Sequence, residues 1–196
     1  MKQSKIKVAV TGGIGSGKSL ALKIINSKGY PTFSCDEIYR DLLLGGDLTK
    51  SLAAEFGNGI LNADGTLNRG ALSKIVFEDS GRLKKLNEIT HPEIFKEMFR
   101  RAEVYEGLVF FEVPLLFDGG YQNLFDKVIV IEREVSQRIS SVIARDGLTE
   151  EEVKKRIEKQ YKYNLSNFTK YYVTHNSGVY GDFVAEIDNL LLQLAK

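Results

Sequence analysis

The stretch that most constrains this chain is Gly12-Gly13-Ile14-Gly15-Ser16-Gly17-Lys18-Ser19, which follows directly on the apolar run Ile6 to Val10. It fits G-x-x-x-x-G-K-[ST], with a short buried strand before it and a helix-compatible segment after it, the context that gives the pattern meaning. Glycines let the backbone curl through positive φ angles, so successive N–H groups point inward at phosphate oxygens. The helix opening near Gly17 offers its unpaired N–H groups and positive dipole end to the same anion. Lys18 adds a point charge near the β- and γ-phosphates, and the Ser19 hydroxyl can ligate Mg²⁺. An ordinary glycine-rich turn is the bland alternative, and the position right after a first strand argues against it. The stretch is expected to hold a nucleoside triphosphate.

Beyond the loop, Leu20, Leu22, Ile24 and Ile25 supply the buried side of a first helix, closed by Gly29 and Pro31. Tyr30 to Ser34 reads as a second strand that delivers Cys35 and Asp36. From Glu37 to Val104 helical spacings dominate, among them Leu48/Leu52, Leu83/Leu86 and Phe95/Met98/Phe99. Tight turns are expected at Gly59 and Asp64-Gly65. Thr90-His91-Pro92-Glu93 has the form of a helix start, with Thr90 as cap. The α/β pattern resumes with strands at Leu108 to Val113, Lys127 to Glu132 and Tyr171 to Thr174, and Phe183, Ile187, Leu190, Leu191 and Leu194 mark a final helix. Between the last two strands lie two helices with thin apolar stripes. The second opens on a Thr149–Glu152 capping box and is crowded with Lys154, Lys155, Arg156, Lys159 and Lys162. Such a pair suits a projecting, mobile hairpin rather than a core.

This alternation predicts an α/β fold built on a doubly wound parallel sheet, with a helical insertion and a two-helix lid. The expected division is residues 1–36, 107–134 and 168–196 for the nucleotide-binding core, 37–106 for the insertion and 135–167 for the lid. Ligands should gather at the C-terminal strand ends, where Thr11, Asp36, Glu112, Glu132/Arg133 and Asn176 are the polar candidates.

A net charge of +1 nominates neither nucleic acid nor membrane as partner. The single Cys35 rules out an internal disulfide framework and has no metal-type spacing, so a packed small residue is its default. The run Leu108 to Phe117 is too short to span a bilayer and carries Glu112, and the N-terminus lacks the form of a signal peptide. A cytoplasmic protein is expected. The sequence has neither N-K-x-D nor a convincing D-x-x-G, which counts against a GTPase switch. The simplest use of these parts is a small-molecule kinase; a nucleotide-dependent binding protein is the rival from another class.

Asp36 could orient or deprotonate a hydroxyl attacking the γ-phosphate, or cap the helix starting at Glu37. Glu112 could hold a magnesium-bound water or be a solvated strand end. Arg138 and Arg145 could close on the triphosphate, or be solvated helix charges. His91 is more often packed at a helix start than engaged with substrate.

Several blocks resemble dephospho-CoA kinases and occur in order along nearly the whole chain. They are Thr11 to Ser19; Cys35-Asp36 with Arg40 and Leu42; Asp64-Gly65-Thr66-Leu67-Asn68-Arg69; Leu86-Asn87 before Thr90-His91-Pro92; Val113-Pro114-Leu115-Leu116-Phe117-Asp118; Asp126-Lys127-Val128; Gln137-Arg138; Arg145-Asp146-Gly147; and Asn176-Ser177-Gly178. The resemblance implies ATP-dependent phosphorylation of the ribose 3′-hydroxyl of dephospho-coenzyme A, with Mg²⁺, in the last step of coenzyme A synthesis. Asp36, Lys18 and Arg145 would be the catalytic groups. The donor would be held by Gly13, Ile14, Gly15, Ser16, Gly17, Lys18 and Ser19, with Asn176 and Gly178 near adenine and Ser19 on the metal. Thr11, Asp36, Arg69, His91, Pro114, Leu115 and Leu116 would meet the acceptor. A nucleoside-monophosphate or other small-metabolite kinase is the within-class rival. Three positions depart from the family pattern: Leu20 for a common threonine, Ser34 for the first acid of D-A-D, and Asp118 for a common glutamate.

Overall fold

Near-continuous apolar runs, buried on both faces, build the sheet. Val8 and Val10 of β1 (Ile6–Gly12) share one face with Phe110 of β3 (Leu108–Glu112) and with Ile129 and Ile131 of β4 (Lys127–Glu132). That face is covered by Ala21, Ile24 and Ile25 of α1 (Lys18–Ser27) and by Phe183, Ile187 and Leu191 of the last helix, α8 (Tyr180–Leu194). The computed structural model describes residues 4–77, 79–162 and 171–195. With β2 (Thr32–Ser34) and β5 (Tyr172–His175) the sheet has the order β2-β3-β1-β4-β5, and β1 runs parallel to both β3 and β4. The chain therefore leaves β1 toward one edge and β3 toward the other, which opens a crevice at the C-terminal ends of those two central strands. Register fixes what lines it: Val10 pairs with Glu112, Gly12 with Ile131, and Glu132 with His175.

By contacts the chain divides into two compact units, Met1–Thr32 with Tyr105–Lys196, and Phe33–Val104. These divisions fall a few residues from the expected 36/37 and 106/107. The expected lid–core boundary at 167/168 lies outside the described residues. The α/β unit also contains α6 (Val135–Asp146) and α7 (Glu150–Lys159), joined through Gly147 in the left-handed region and the Thr149–Glu152 capping box. The thin apolar stripes of this hairpin do make a core of their own. Ile139, Val142 and Val153 are buried, and Ile14 of the glycine loop packs against them with Ile143, Leu148 and Ile157. The hairpin is thus seated on the loop rather than standing away from the core, because one loop side chain completes its apolar surface.

The second unit is helical: α2 (Cys35–Leu44), α3 (Asp47–Phe56), α4 (Arg69–Phe77) and α5 (Ser80–Ala102). Leu48, Leu52, Ile60, Leu72 and Val76 form its core, with Leu83, Leu86 and Ile89 packed against them. The expected turn at Asp64-Gly65 forms, closed by the Thr66 N–H and hydroxyl donating to Asp64 Oδ1 at 3.0 and 2.6 Å. The helix start expected at Thr90 does not occur. α5 begins at Ser80, capped by Asp79, whose carboxylate accepts from the Gly81 and Arg82 N–H groups, and it runs unbroken through Pro92. A proline inside a helix costs about 3 kcal/mol. Burial of Ile94, Phe95, Met98 and Ala102 beyond it, at about 1.5–3 kcal/mol for each large side chain, outweighs that cost. The Thr90 hydroxyl caps nothing and donates instead to Leu86 O at 2.9 Å.

Candidate functional site

The loop after β1 is held from outside, one carbonyl at a time. Lys18 Nζ donates to Gly12 O at 3.0 Å and to Gly13 O at 3.1 Å. Arg138 of α6 donates through Nε to Ile14 O at 2.8 Å, Arg133 through Nη1 to Gly15 O at 3.2 Å, and Asn176 through Nδ2 to Ser16 O at 2.9 Å. Every carbonyl from Gly12 to Ser16 thus accepts a side-chain donor. A backbone held through its oxygens can turn inward the amides that protein acceptors leave over, here those other than Ile14, bonded to Gln160, and Ser16, bonded to Gly13 O, the geometry of an anion nest. Gly15 (φ 75°) and Gly17 (φ 102°) make the curl, and neither has room for a side chain: a Cβ on Gly15 would lie 2.6 Å from Arg138 O, and one on Gly17 would collide with the Asn176 amide. No side chain caps α1, so its first-turn amides point along the axis without intrahelical acceptors. The Ser16 hydroxyl is buried without a hydrogen-bond partner among the described residues, a polar atom left over for a ligand.

At the end of β3 the buried Glu112 accepts a hydrogen bond from Ser19 Oγ, Oε1 to Oγ 2.9 Å. Beside the loop lies a cavity of about 420 Å³, lined among others by Gly13, Ser16, Arg133, Gln137, Arg138, His175, Asn176 and Ser177. Asn176 joins its two walls, since its Oδ1 accepts the Gly178 N–H at 3.1 Å while its Nδ2 holds Ser16 O. Gln137 donates to Ser177 O at 2.9 Å and accepts from Arg133 Nε at 3.4 Å. The arrangement suits a polyphosphate on the loop with a flat heterocycle alongside.

The family model for dephospho-CoA kinase (CoaE) matches residues 6–180. The chain belongs to the dephospho-CoA kinase family. It is 36% identical over 194 residues to the dephospho-CoA kinase of Lactobacillus johnsonii, covering 96% of this chain and 98% of that protein. Among solved structures it is similar to TT1252 from Thermus thermophilus, at 30% identity and a TM-score of 0.84, covering 99% of this chain and all of that one. It is also similar to the dephospho-CoA kinase of Campylobacter jejuni, at 26% identity and a TM-score of 0.65 over 97% of both chains.

Of the residues that the family resemblance nominated, Thr11, the loop from Gly13 to Ser19, Asn176 and Gly178 come together in the α/β unit. Pro114 and Leu115 follow Glu112 at the surface, with Leu115 exposed, whereas Leu116 is fully buried. Arg145 forms a bidentate pair with its neighbour Asp146 at 2.7 and 2.9 Å, which holds that carboxyl below its usual range. Asp36, Arg69 and His91 lie in the helical unit. Asp36 is not the helix cap, a position taken by Ser34. It is exposed in the first turn of α2, where its carboxylate accepts no hydrogen bond among the described residues. Arg69 opens α4 and, with Arg40, lines a cavity of about 280 Å³. His91, half-buried in α5 against the edge of Phe95, has its pKa lowered by burial and so favours the neutral ring.

Sequence reasoning marked Arg133 only as a polar strand end and missed Gln160. Gln160 follows α7, and its Oε1 accepts the Ile14 N–H at 2.8 Å. Neither side chain has a spacing signal, because each reaches the loop by tertiary packing. Replacing Asn176 with alanine leaves the buried Ser16 O without its partner, at a cost of about 1–3 kcal/mol, and frees the Gly178 N–H at the surface. Urea unfolding of nucleotide-free Asn176→Ala should show a loss of at least about 1 kcal/mol, and an unchanged midpoint would mean that water replaces the amide.

Proposed function

We propose that this chain transfers the γ-phosphoryl group of ATP to the ribose 3′-hydroxyl of dephospho-coenzyme A, giving coenzyme A and ADP. The family membership names the acceptor. The observation in the molecule that supports the reading is the glycine loop whose carbonyls from Gly12 to Ser16 all accept side-chain donors, with the buried Ser16 hydroxyl left without a partner among the described residues. The acceptor oxygen forms a bond to the γ-phosphorus as the bond to the β-bridging oxygen breaks, and the acceptor proton passes to a base. Asp36 is that base or orienting group: its carboxylate is exposed and accepts no hydrogen bond among the described residues, so its lone pairs are available. Lys18 and the loop amides hold the β- and γ-phosphates in line, and Arg138 and Arg145 of the hairpin offset charge as it shifts toward the leaving oxygen. Adenine occupies the cavity beside Asn176 and Gly178. Arg69, His91 and the Pro114–Leu116 stretch meet the acceptor. The reaction is proposed to run in the cytoplasm.

Magnesium fits the oxygens present. Ser19 Oγ and Glu112 Oε1 lie 2.9 Å apart at the mouth of the loop, a hydroxyl and a carboxylate of the kind that hold a hard cation directly or through water. When bound, Mg²⁺ supplies neutralisation of the β- and γ-phosphate oxygens. Ser19 is the direct ligand, and Glu112 orients it or a metal-bound water.

Incubation with Mg-ATP and a panel of acceptors, read by mass spectrometry, should give coenzyme A from dephospho-coenzyme A and no phosphorylated nucleoside monophosphate. Nucleotide binding with no transfer to any acceptor would favour the binding-protein rival. Asp36→Asn should retain ATP binding while kcat falls by about 10²–10⁴-fold, the usual weight of general-base assistance; near-normal turnover would remove Asp36 from the mechanism. Glu112→Gln should raise the Mg²⁺ concentration needed for half-maximal rate by about 10–100-fold, as for other groups that orient a metal ligand. An unaltered magnesium titration would leave Glu112 a strand-end residue only.

A further inference from the structure

The peptide unit joining Gly13 to Ile14 is gripped at both ends. Its oxygen accepts from Lys18 Nζ at 3.1 Å and from the Ser16 N–H at 3.1 Å, and its N–H donates to Gln160 Oε1 at 2.8 Å. Gln160 is itself set by what surrounds it. The next residue, Tyr161, donates its N–H to Asp118 Oδ1 at 3.0 Å and stacks on Phe117 at 5.0 Å between ring centroids. On the other side, Val153 and Ile157 of α7 belong to the small core that Ile14 completes. The glutamine is therefore presented to the loop by a packed scaffold.

A peptide plane moves as one body, because its C–N bond does not rotate freely. Taking away the acceptor on its N–H lets the plane rock about the chain and shifts the oxygen at the other end. A hydrogen bond accepted from the N–H also polarises the same amide and strengthens its carbonyl as an acceptor. Both effects act on Lys18. Its ammonium rests between Gly12 O and Gly13 O, and from that perch it must meet the β- and γ-phosphates.

We infer that Gln160, at the end of the two-helix hairpin, is a positioning residue for Lys18: by holding the Gly13–Ile14 peptide it sets where the lysine charge stands for the β- and γ-phosphates. The inference rests on the kinase reading, and it makes the hairpin a structural part of the phosphate site as well as its cover.

The test uses the full chain with two substitutions of similar length, Gln160→Met, which has no amide oxygen, and Gln160→Glu, which keeps an acceptor oxygen at the same reach. Equilibrium binding without any acceptor is measured for a magnesium complex of a non-hydrolysable ATP analogue and for AMP. Gln160→Met should weaken the analogue about tenfold, the worth of one hydrogen bond, and leave AMP, which lacks β- and γ-phosphates, within about twofold. At saturating ATP, kcat should fall in Gln160→Met and recover most of its value in Gln160→Glu. Analogue binding unchanged in Gln160→Met, AMP weakened as much as the analogue, or a glutamate variant as slow as the methionine one would each overturn the inference. Should Gln160→Met fail to fold, Gln160→Asn, too short to reach the Ile14 N–H, carries the same expectations. Because the binding measurement uses no acceptor, it stands even if dephospho-coenzyme A proves to be the wrong substrate.

Discussion

A loop that binds phosphate through its amides has to keep most of them without protein acceptors, so it cannot be held by the backbone ladder that holds a strand or a helix; here only Ile14 N–H, on Gln160, and Ser16 N–H, on Gly13 O, are seen to be spent on the protein. Its rigidity must come from the carbonyl side. Here each carbonyl from Gly12 to Ser16 takes a donor, and the donors come from α1, α6, the end of β4 and the end of β5. Four of these five oxygens accept from a charged group, and hydrogen bonds to charged groups contribute about 1.5–3 kcal/mol each against about 1 for neutral ones. Cationic donors also strengthen, as donors, the N–H groups of the peptides they polarise, of which Ile14 N–H is taken by Gln160 and Ser16 N–H by Gly13 O. The sheet order serves this need. Placing β4 beside β1, with β5 next to β4, brings Arg133 and Asn176 to the loop, and the hairpin leaving β4 brings Arg138 and Gln160.

Much of this was legible from residue pattern alone, and the gaps have physical causes. Strand-forming runs and the glycine loop are local signals, so β1, β3 and β4 and the α1 start emerge almost residue by residue. The strand ends at Glu112 and Asn176 were readable because a polar residue closes each apolar run, just before Pro114 in one case and before Ser177-Gly178 in the other. The helix through Pro92 was not, since a T-x-P-E string scores as a start by local rules, while what overrides it is the tertiary burial of Ile94, Phe95, Met98 and Ala102 beyond the proline. The hairpin was misjudged for a related reason: its own apolar residues are few, and Ile14, which completes them, sits more than a hundred positions away. Which arginine reaches the loop was equally opaque. Arg138 and Arg133 do so because one turn of α6 and the end of β4 face it, whereas Arg145 is engaged by Asp146.

The helical unit is organised on different terms. Its surface carries a chain of ion pairs, Asp41–Arg101–Glu97–Arg100, and the two arginines hold the Glu97 carboxyl down at about 2, so it remains charged through the physiological range. Exposed pairs of this kind add little stability. Stability comes instead from the leucine and isoleucine core between α3, α4 and α5. That leaves surface residues free to be chosen for chemistry. Arg40 and Arg69 face one cavity with Leu43, Leu44 and Leu67, a mixture of cationic and apolar groups that suits a long ligand bearing both phosphate and hydrocarbon.

The departure at Leu20 is best weighed against the braces on the loop. The leucine offers no hydroxyl in the first turn of α1, and at 36% exposed it is not a fully packed side chain either. Ser19 donates its hydroxyl proton to Glu112, so its oxygen keeps acceptor capacity only. Donor affinity must then rest on backbone amides, whose strength depends on how firmly their carbonyls are held. A chain with fewer side-chain hydroxyls on the phosphates gains most from charged donors behind the peptide planes, and Arg133 and Arg138 are placed to supply them. The substitution at Leu20 and the carbonyl braces therefore describe one balance: what the loop lacks on its concave side is offset from its convex side.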